Sequence, residues 1–143
     1  ANADLRVSRQ REYLRANADA VRARAKEAHD RRYKTDALYT LRLRIGNAVR
    51  DSLKGRVKSS RTFAALGYSV DDLKSHLASK FSEGMSMEKL LDGSIHIDHI
   101  RPISSFTFKG TDDLEFKKCW ALENLQPLWA KDNLSKGAKY DPS

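Results

Sequence analysis

Residues 94–100, SIHIDHI, alternate apolar and polar side chains with a period of two, in a chain whose other patterned stretches run at helical spacing. That alternation is the signature of a strand with one dry and one wet face. Ile95 and Ile97 fall on one side, and His96 and Asp98 on the other. The Asp92-Gly93 turn opens the stretch and Arg101-Pro102 ends it. A second short strand is predicted at 124–129, NLQPLW, where Pro127 confines it to an edge, as a two-stranded pairing permits. Two short strands among helices make the expected fold class α+β.

The helices are read from spacing and caps. Leu38, Leu41, Ile45, Ala48, Val49 and Leu53 give one apolar stripe over 36–54, with Asp36 as cap and Gly55 as stop. Leu73, Leu77 and Phe81 give another over 69–81, where Ser69 and Asp72 form a capping-box pattern. His76 lies beside that stripe and reads as a partly buried helix residue. A helical turn is expected at 86–91, and a helix over 111–122 with Thr111 as cap. A last helix is expected over 130–137, closed by Gly137.

The first 35 residues have no Gly or Pro and repeat the tetrapeptide ANAD, so they read as one long helix or two short ones, with Asn2 and Asn17 as caps. Their apolar face is thin. The chain carries a net charge of +8, and its distribution says more than its size. Residues 1–35 hold 10 Lys/Arg against 5 Asp/Glu, residues 36–68 hold 7 against 2, and residues 69–143 hold 10 against 12. The excess positive charge therefore sits in the first half. A basic arm on a near-neutral core points to a nucleic-acid backbone, since each Lys or Arg on a phosphate releases counterions. The sequence thus divides into a basic arm (1–35), a helical region (36–93) and a core (94–143). It has no apolar run long enough to span a bilayer and no signal-peptide pattern. The single cysteine, Cys119, excludes an intrachain disulfide and a zinc site of paired thiolates, so a reducing cytoplasm is the default compartment.

Hydrolysis of a phosphodiester needs a base for the attacking water and a cation for the phosphate and leaving oxygen. Histidine suits the first role near neutral pH. Aspartate and amide oxygens suit the second, because magnesium prefers hard oxygens and keeps much of its water. Adjacent on a strand, Asp98 and His99 diverge to opposite faces and can straddle one phosphate.

The strings IDHIRPIS, ENLQPLW and KDNLSKG resemble the HNH endonucleases, the ββα-metal nucleases, and most closely the phage- and mobile-element-associated group. The resemblance spans most of residues 36–139. It implies a ββα-metal core over about 94–139, packed against the preceding helices and fronted by the basic helical arm. It implies His99 as general base, Asp98 and Asn133 as metal ligands, and Asn124 as the residue that braces the loop and so fixes the imidazole. The cofactor it implies is one divalent metal, magnesium or manganese, with no structural zinc. The implied reaction is cleavage of double-stranded DNA, leaving a 5′-phosphate and a 3′-hydroxyl. One site cuts one strand, in a monomer or weak dimer, in the cytoplasm of a bacterial host and encoded by a phage.

Four assignments rest on position. His96 shares a face with Asp98 and reads equally as a phosphate contact or as a structural hydrogen-bonding group. Lys136, three residues after Asn133 on one helical face, reads equally as a phosphate contact or a solvated lysine. DNA contacts are expected from Arg56, Lys58 and Arg61 in a basic turn, and from Arg101 and Lys131 beside the core. Arg22 and Arg24 would contribute from the arm. Trp120, Trp129, Leu128 and Ile97 read as core. Two rivals share these residues: a non-catalytic DNA-binding protein on the same fold, and a nuclease directed at RNA.

Overall fold

The computed structural model describes residues 2–56 and 61–139. Its order is α1 (Asn2–Thr35), α2 (Ala37–Ser52), α3 (Thr62–Leu66), α4 (Val70–Ser79), α5 (Met87–Leu91), β1 (Ile95–His99), α6 (Leu114–Trp120), β2 (Leu125–Trp129) and α7 (Ala130–Lys136). The fold is helix-dominated α+β with one small antiparallel sheet. Among the described residues, no helix is long and apolar enough to cross a membrane.

The two strands pair in the register Ile95↔Trp129, His96↔Leu128, Ile97↔Pro127, Asp98↔Gln126 and His99↔Leu125. Two flanking bonds extend the ladder: Ile100 N donates to Asn124 O at 2.8 Å, and Ala130 N to Ser94 O at 2.9 Å. Period-two alternation then does what the sequence requires. Ile95 and Leu125 are fully buried, while His96 and Asp98 face α7.

The apolar stripe of α2 supplies one wall of the core: Leu41, Ile45, Val49 and, just past the helix, Leu53. Val70, Leu73 and Leu77 of α4, Leu90 of α5, and Phe116, Cys119 and Trp120 of α6 close around it. Polar ties fix the layers. Arg44 donates to Leu90 O at 2.6 Å and Leu91 O at 3.0 Å, pinning α5 to α2. His76 Nε2 lies 2.8 Å from Leu125 O, pinning α4 to β2, so its role is structural. The Tyr68 hydroxyl donates to Trp120 O at 2.6 Å.

Several boundaries differ from expectation, each for a local reason. Of the two readings offered for the first segment, the single long helix forms, over Asn2–Thr35. Asn17 does not cap; its amide donates back to Tyr13 O within the helix. α1 buries none of its residues, and only its last turns are anchored. There His29 Nδ1 sits 2.7 Å from the Tyr39 hydroxyl, and Arg32 stacks over the Tyr39 ring at 4.2 Å. The Asp36 cap and the Ser69–Asp72 capping box form as read. α4 stops at Ser79, which leaves Phe81 outside the buried core. α6 begins at Leu114, not Thr111, because Asp113 accepts from the backbone N–H groups of Lys109 at 2.7 Å and Gly110 at 3.2 Å and so holds 109–113 in a turn. The single helical turn α3 has no counterpart in the sequence reading; five residues are too few to show a period.

This packing separates core from arm energetically. Leu73→Ala should cost about 2–5 kcal/mol in urea unfolding, as for other buried leucines. Leu14→Ala on α1 should stay within about 0.5 kcal/mol. A comparable loss at both positions would show that α1 is packed in solution.

Candidate functional site

The end of β1 and the inner face of α7 bring five of the expected residues together. Asn133 and Lys136 lie three apart on α7 and therefore share one face. Asn133 Nδ2 lies 3.0 Å from His96 Nδ1. Lys136 Nζ donates to Asp98 Oδ1 at 3.0 Å and Oδ2 at 2.9 Å. It also donates to His99 O at 2.7 Å. Opposite Asp98 in the sheet, Gln126 Nε2 donates to Oδ2 at 2.9 Å. Asp98 is 6% exposed, so its charge is balanced almost entirely by these neighbours.

His99 leaves the strand on the other face. Its ring meets Trp120 edge-on, with centroids 4.4 Å apart. His99 Nε2 and Trp120 Nε1 are buried and have no hydrogen-bond partner among the described residues. Burial pushes the His99 imidazole down to about 4, with the Asp98 charge pulling the other way and Lys136 adding to the depression. At neutral pH the ring is thus uncharged, the state an acceptor of protons requires. Nearby Cys119 is pushed up to about 12 by burial and stays a thiol.

Two openings meet at these residues. Asp98, His99 and Asn133 border one shallow depression, with Ile97 and the 102–104 loop on its rim. His96, His99 and Asn133 also border a second pocket of about 400 Å³, walled by Arg44, Ala48 and Trp120. His99 and Asn133 are common to both.

Asn124 lies behind the site. Its Oδ1 accepts from Arg101 N at 2.8 Å, and its Nδ2 donates to Arg101 O at 3.1 Å and Cys119 O at 2.9 Å. Its side chain does not touch His99. It holds the chain two residues further on and ties that segment to the end of α6.

The donor set bears on a metal. Among the described residues, no three His, Cys, Asp or Glu side chains converge as a cage. What converges is one carboxylate, Asp98, and one amide, Asn133, whose oxygen is the atom left to offer once its nitrogen meets His96. Two hard oxygens suit a cation that keeps most of its water and takes further ligands from a phosphate. The residues fit magnesium or manganese in that sense, and Asp98 is ion-paired with Lys136.

The proposed DNA contacts are not gathered here. Lys58 lies outside the described residues. Arg56, Arg61 and Lys131 are exposed. Arg22 and Arg24 stand on the unpacked part of α1, about 16–20 Å along the axis from its end. Arg101 is committed within its own loop, to Ser105 Oγ and O, both at 3.1 Å, and over the Phe106 ring at 4.0 Å. Sequence reasoning missed Gln126 and Arg44. Gln126 was recoverable from strand register, as the residue opposite Asp98. Nothing in the α2 stripe distinguishes Arg44, whose role depends on where α5 docks.

No family model matches the chain, and no solved structure matches it. The uncharacterized protein L426 of Acanthamoeba polyphaga mimivirus is 30% identical over 112 residues, covering 78% of this chain and 48% of that protein. The chain thus spans about half the length of this relative.

Two measurements check the geometry. Asn124→Ala strands two carbonyls and one N–H, so it should lower stability by about 2–5 kcal/mol and raise amide exchange at Arg101. For His99, the unfolded ring takes a proton near 6.5 and the folded ring only near 4. Between those values the unfolded chain binds more protons, so acid favours unfolding; below about 4 both states are protonated and the difference stops growing. With chelator present, stability should fall between pH 6.5 and 4, and His99 should account for at most about 3 kcal/mol. His99→Leu should lack that part of the slope; an identical slope would contradict the buried neutral ring.

Proposed function

We propose that the chain is a metal-dependent endonuclease of the HNH, ββα-metal type that hydrolyses DNA, with β1, β2 and α7 as its catalytic core. The observation that carries this reading is the convergence of Asp98, His99 and Asn133 on one depression, with Asn124 bracing the chain just beyond them. The motif strings that contain these residues supply the family resemblance.

The chemistry follows from the side chains. Neutral His99 takes a proton from the attacking water as its oxygen bonds to phosphorus; the P–O3′ bond breaks and the leaving O3′ takes a proton from solvent water, giving a 5′-phosphate and a 3′-hydroxyl. Trp120 holds the imidazole edge-on, which restricts the ring, and Asn124 fixes the chain that follows it. Asp98 and Asn133 would hold a magnesium or manganese ion. That ion supplies charge neutralisation at the phosphate and leaving oxygen. His96 Nδ1 lies 3.0 Å from Asn133 Nδ2, so its role in this reading is to set the amide. The positive first half of the chain, α1 included, provides phosphate contacts.

Burial changes one expectation. An ordinary histidine base would lose activity below about pH 6. A ring pushed down to about 4 stays neutral well below that, at the cost of being a weaker base.

Supercoiled plasmid nicking tests the proposal. Wild type with magnesium should convert supercoiled to open-circular DNA, chelator should abolish this, and His99→Ala should reduce the rate by about 100-fold or more. The rate at pH 5.5 should stay within about threefold of that at pH 7.5. Duplex binding without magnesium-dependent cleavage would sink the enzyme reading in favour of a DNA-binding protein. Cleavage of RNA alone would change the substrate.

A further inference from the structure

The Asp98–Lys136 contact is more than an ion pair. Four oxygens from three consecutive residues surround one ammonium: Asp98 Oδ1 at 3.0 Å, Asp98 Oδ2 at 2.9 Å, His99 O at 2.7 Å and Ile100 O at 3.4 Å. An ammonium has three protons, so carboxylate and carbonyls together saturate it. Carboxylate and carbonyl oxygens are also the ligand set that hard divalent cations select. The cradle is built into the backbone. Ile100 N is held by Asn124 O at 2.8 Å, Arg101 is clamped on both sides by the Asn124 amide, and Gln126 fixes Oδ2 from across the sheet.

The cation in the cradle sits on a flexible stem. Lys136 is the last residue of α7, followed at once by Gly137 with φ +53°. Its side chain is 22% exposed, so it has a way out towards solvent. A divalent ion on Asp98 would lie within a few ångströms of this ammonium, and two cations cannot share one carboxylate at that range without strong repulsion.

We propose that Lys136 is the resident cation of the Asp98 site: it holds the carboxylate and the strand-end carbonyls in place in the metal-free protein and must leave Asp98 for a divalent ion to bind. The inference rests on Asp98 being a metal ligand, as in the nuclease reading, but it concerns metal binding and not cleavage. It accounts for the pairing of a nearly buried carboxylate with an ammonium of the same chain. It also makes metal affinity a competition, weaker than the donors alone would give. The class of ligand is a hard divalent cation, and the group displaced is a primary ammonium of the same chain.

Lys136→Met keeps the stem and removes the charge. Titration of the full chain with manganese, without DNA, should show the variant binding about tenfold or more tightly than wild type, about 1.4 kcal/mol per tenfold. Manganese should also raise the melting temperature of the variant more than that of wild type. A lysine that merely supports the fold would give the opposite, a weakened site. Equal or weaker binding by the folded variant overturns the proposal. If the variant unfolds without metal, restoration of its circular-dichroism signal by manganese supports the proposal, and failure to restore it overturns it. The two readings separate cleanly. Nicking by wild type without tighter binding by Lys136→Met removes the resident-cation role and leaves the nuclease. Tighter binding with no nicking does the reverse, and absence of manganese binding in both proteins overturns both.

Discussion

One buried amide organises the functional end of this molecule. Asn124 accepts from Arg101 N and donates to Arg101 O and Cys119 O, while its own carbonyl accepts from Ile100 N. These bonds join the end of β1, the loop after it and the end of α6. Without them the chain after His99 would have no fixed direction, because β1 has no further strand partner there. The position of the imidazole against Trp120 and the carbonyls that receive Lys136 both follow from that fixed exit. An interior amide with both N–H donors and its carbonyl oxygen engaged is worth more than its pairwise bonds, since each lost partner leaves another polar group buried without one.

The site divides its charges across the sheet. On one face the acid Asp98 is neutralised by Lys136 and steadied by Gln126. On the other face the His99 imidazole is kept uncharged by burial, with its ring edge-on to Trp120. The alternation of β1 is what places these opposite requirements one residue apart. A slip of register by one would send the carboxylate into the core and the imidazole towards α7. The fully buried Ile95 and Leu125 hold that register, so core packing and the polarity of the candidate site depend on the same pairing.

How far the sequence could be read varied with the range of the interaction. Caps were legible because they act over three residues: Asp36 and the Ser69–Asp72 box form as read. So were the two strands and α7. The start of α6 was not, because Asp113 was free to close a preceding turn instead of leaving the cap to Thr111. In the site, the closeness of Asn133 to the strand was implied by the family resemblance. What Lys136 touches was not, because spacing along α7 names a face and not the partner beneath it. The depression of the His99 pKa comes first from burial, and the ring it packs against, Trp120, sits 21 residues away in sequence and reads there only as core. Arg44 was invisible for the same reason: its partners, the carbonyls of Leu90 and Leu91, are identified only once α5 has docked.

The first helix has a consequence best expressed as a length. It runs for 34 residues, about 51 Å at 1.5 Å per residue, and is secured only near its last turns. On a B-form duplex at 3.4 Å per base step, that length equals about fifteen base pairs. A rod of that span, fixed at one end beside α2, sets a distance scale much larger than the depression at Asp98.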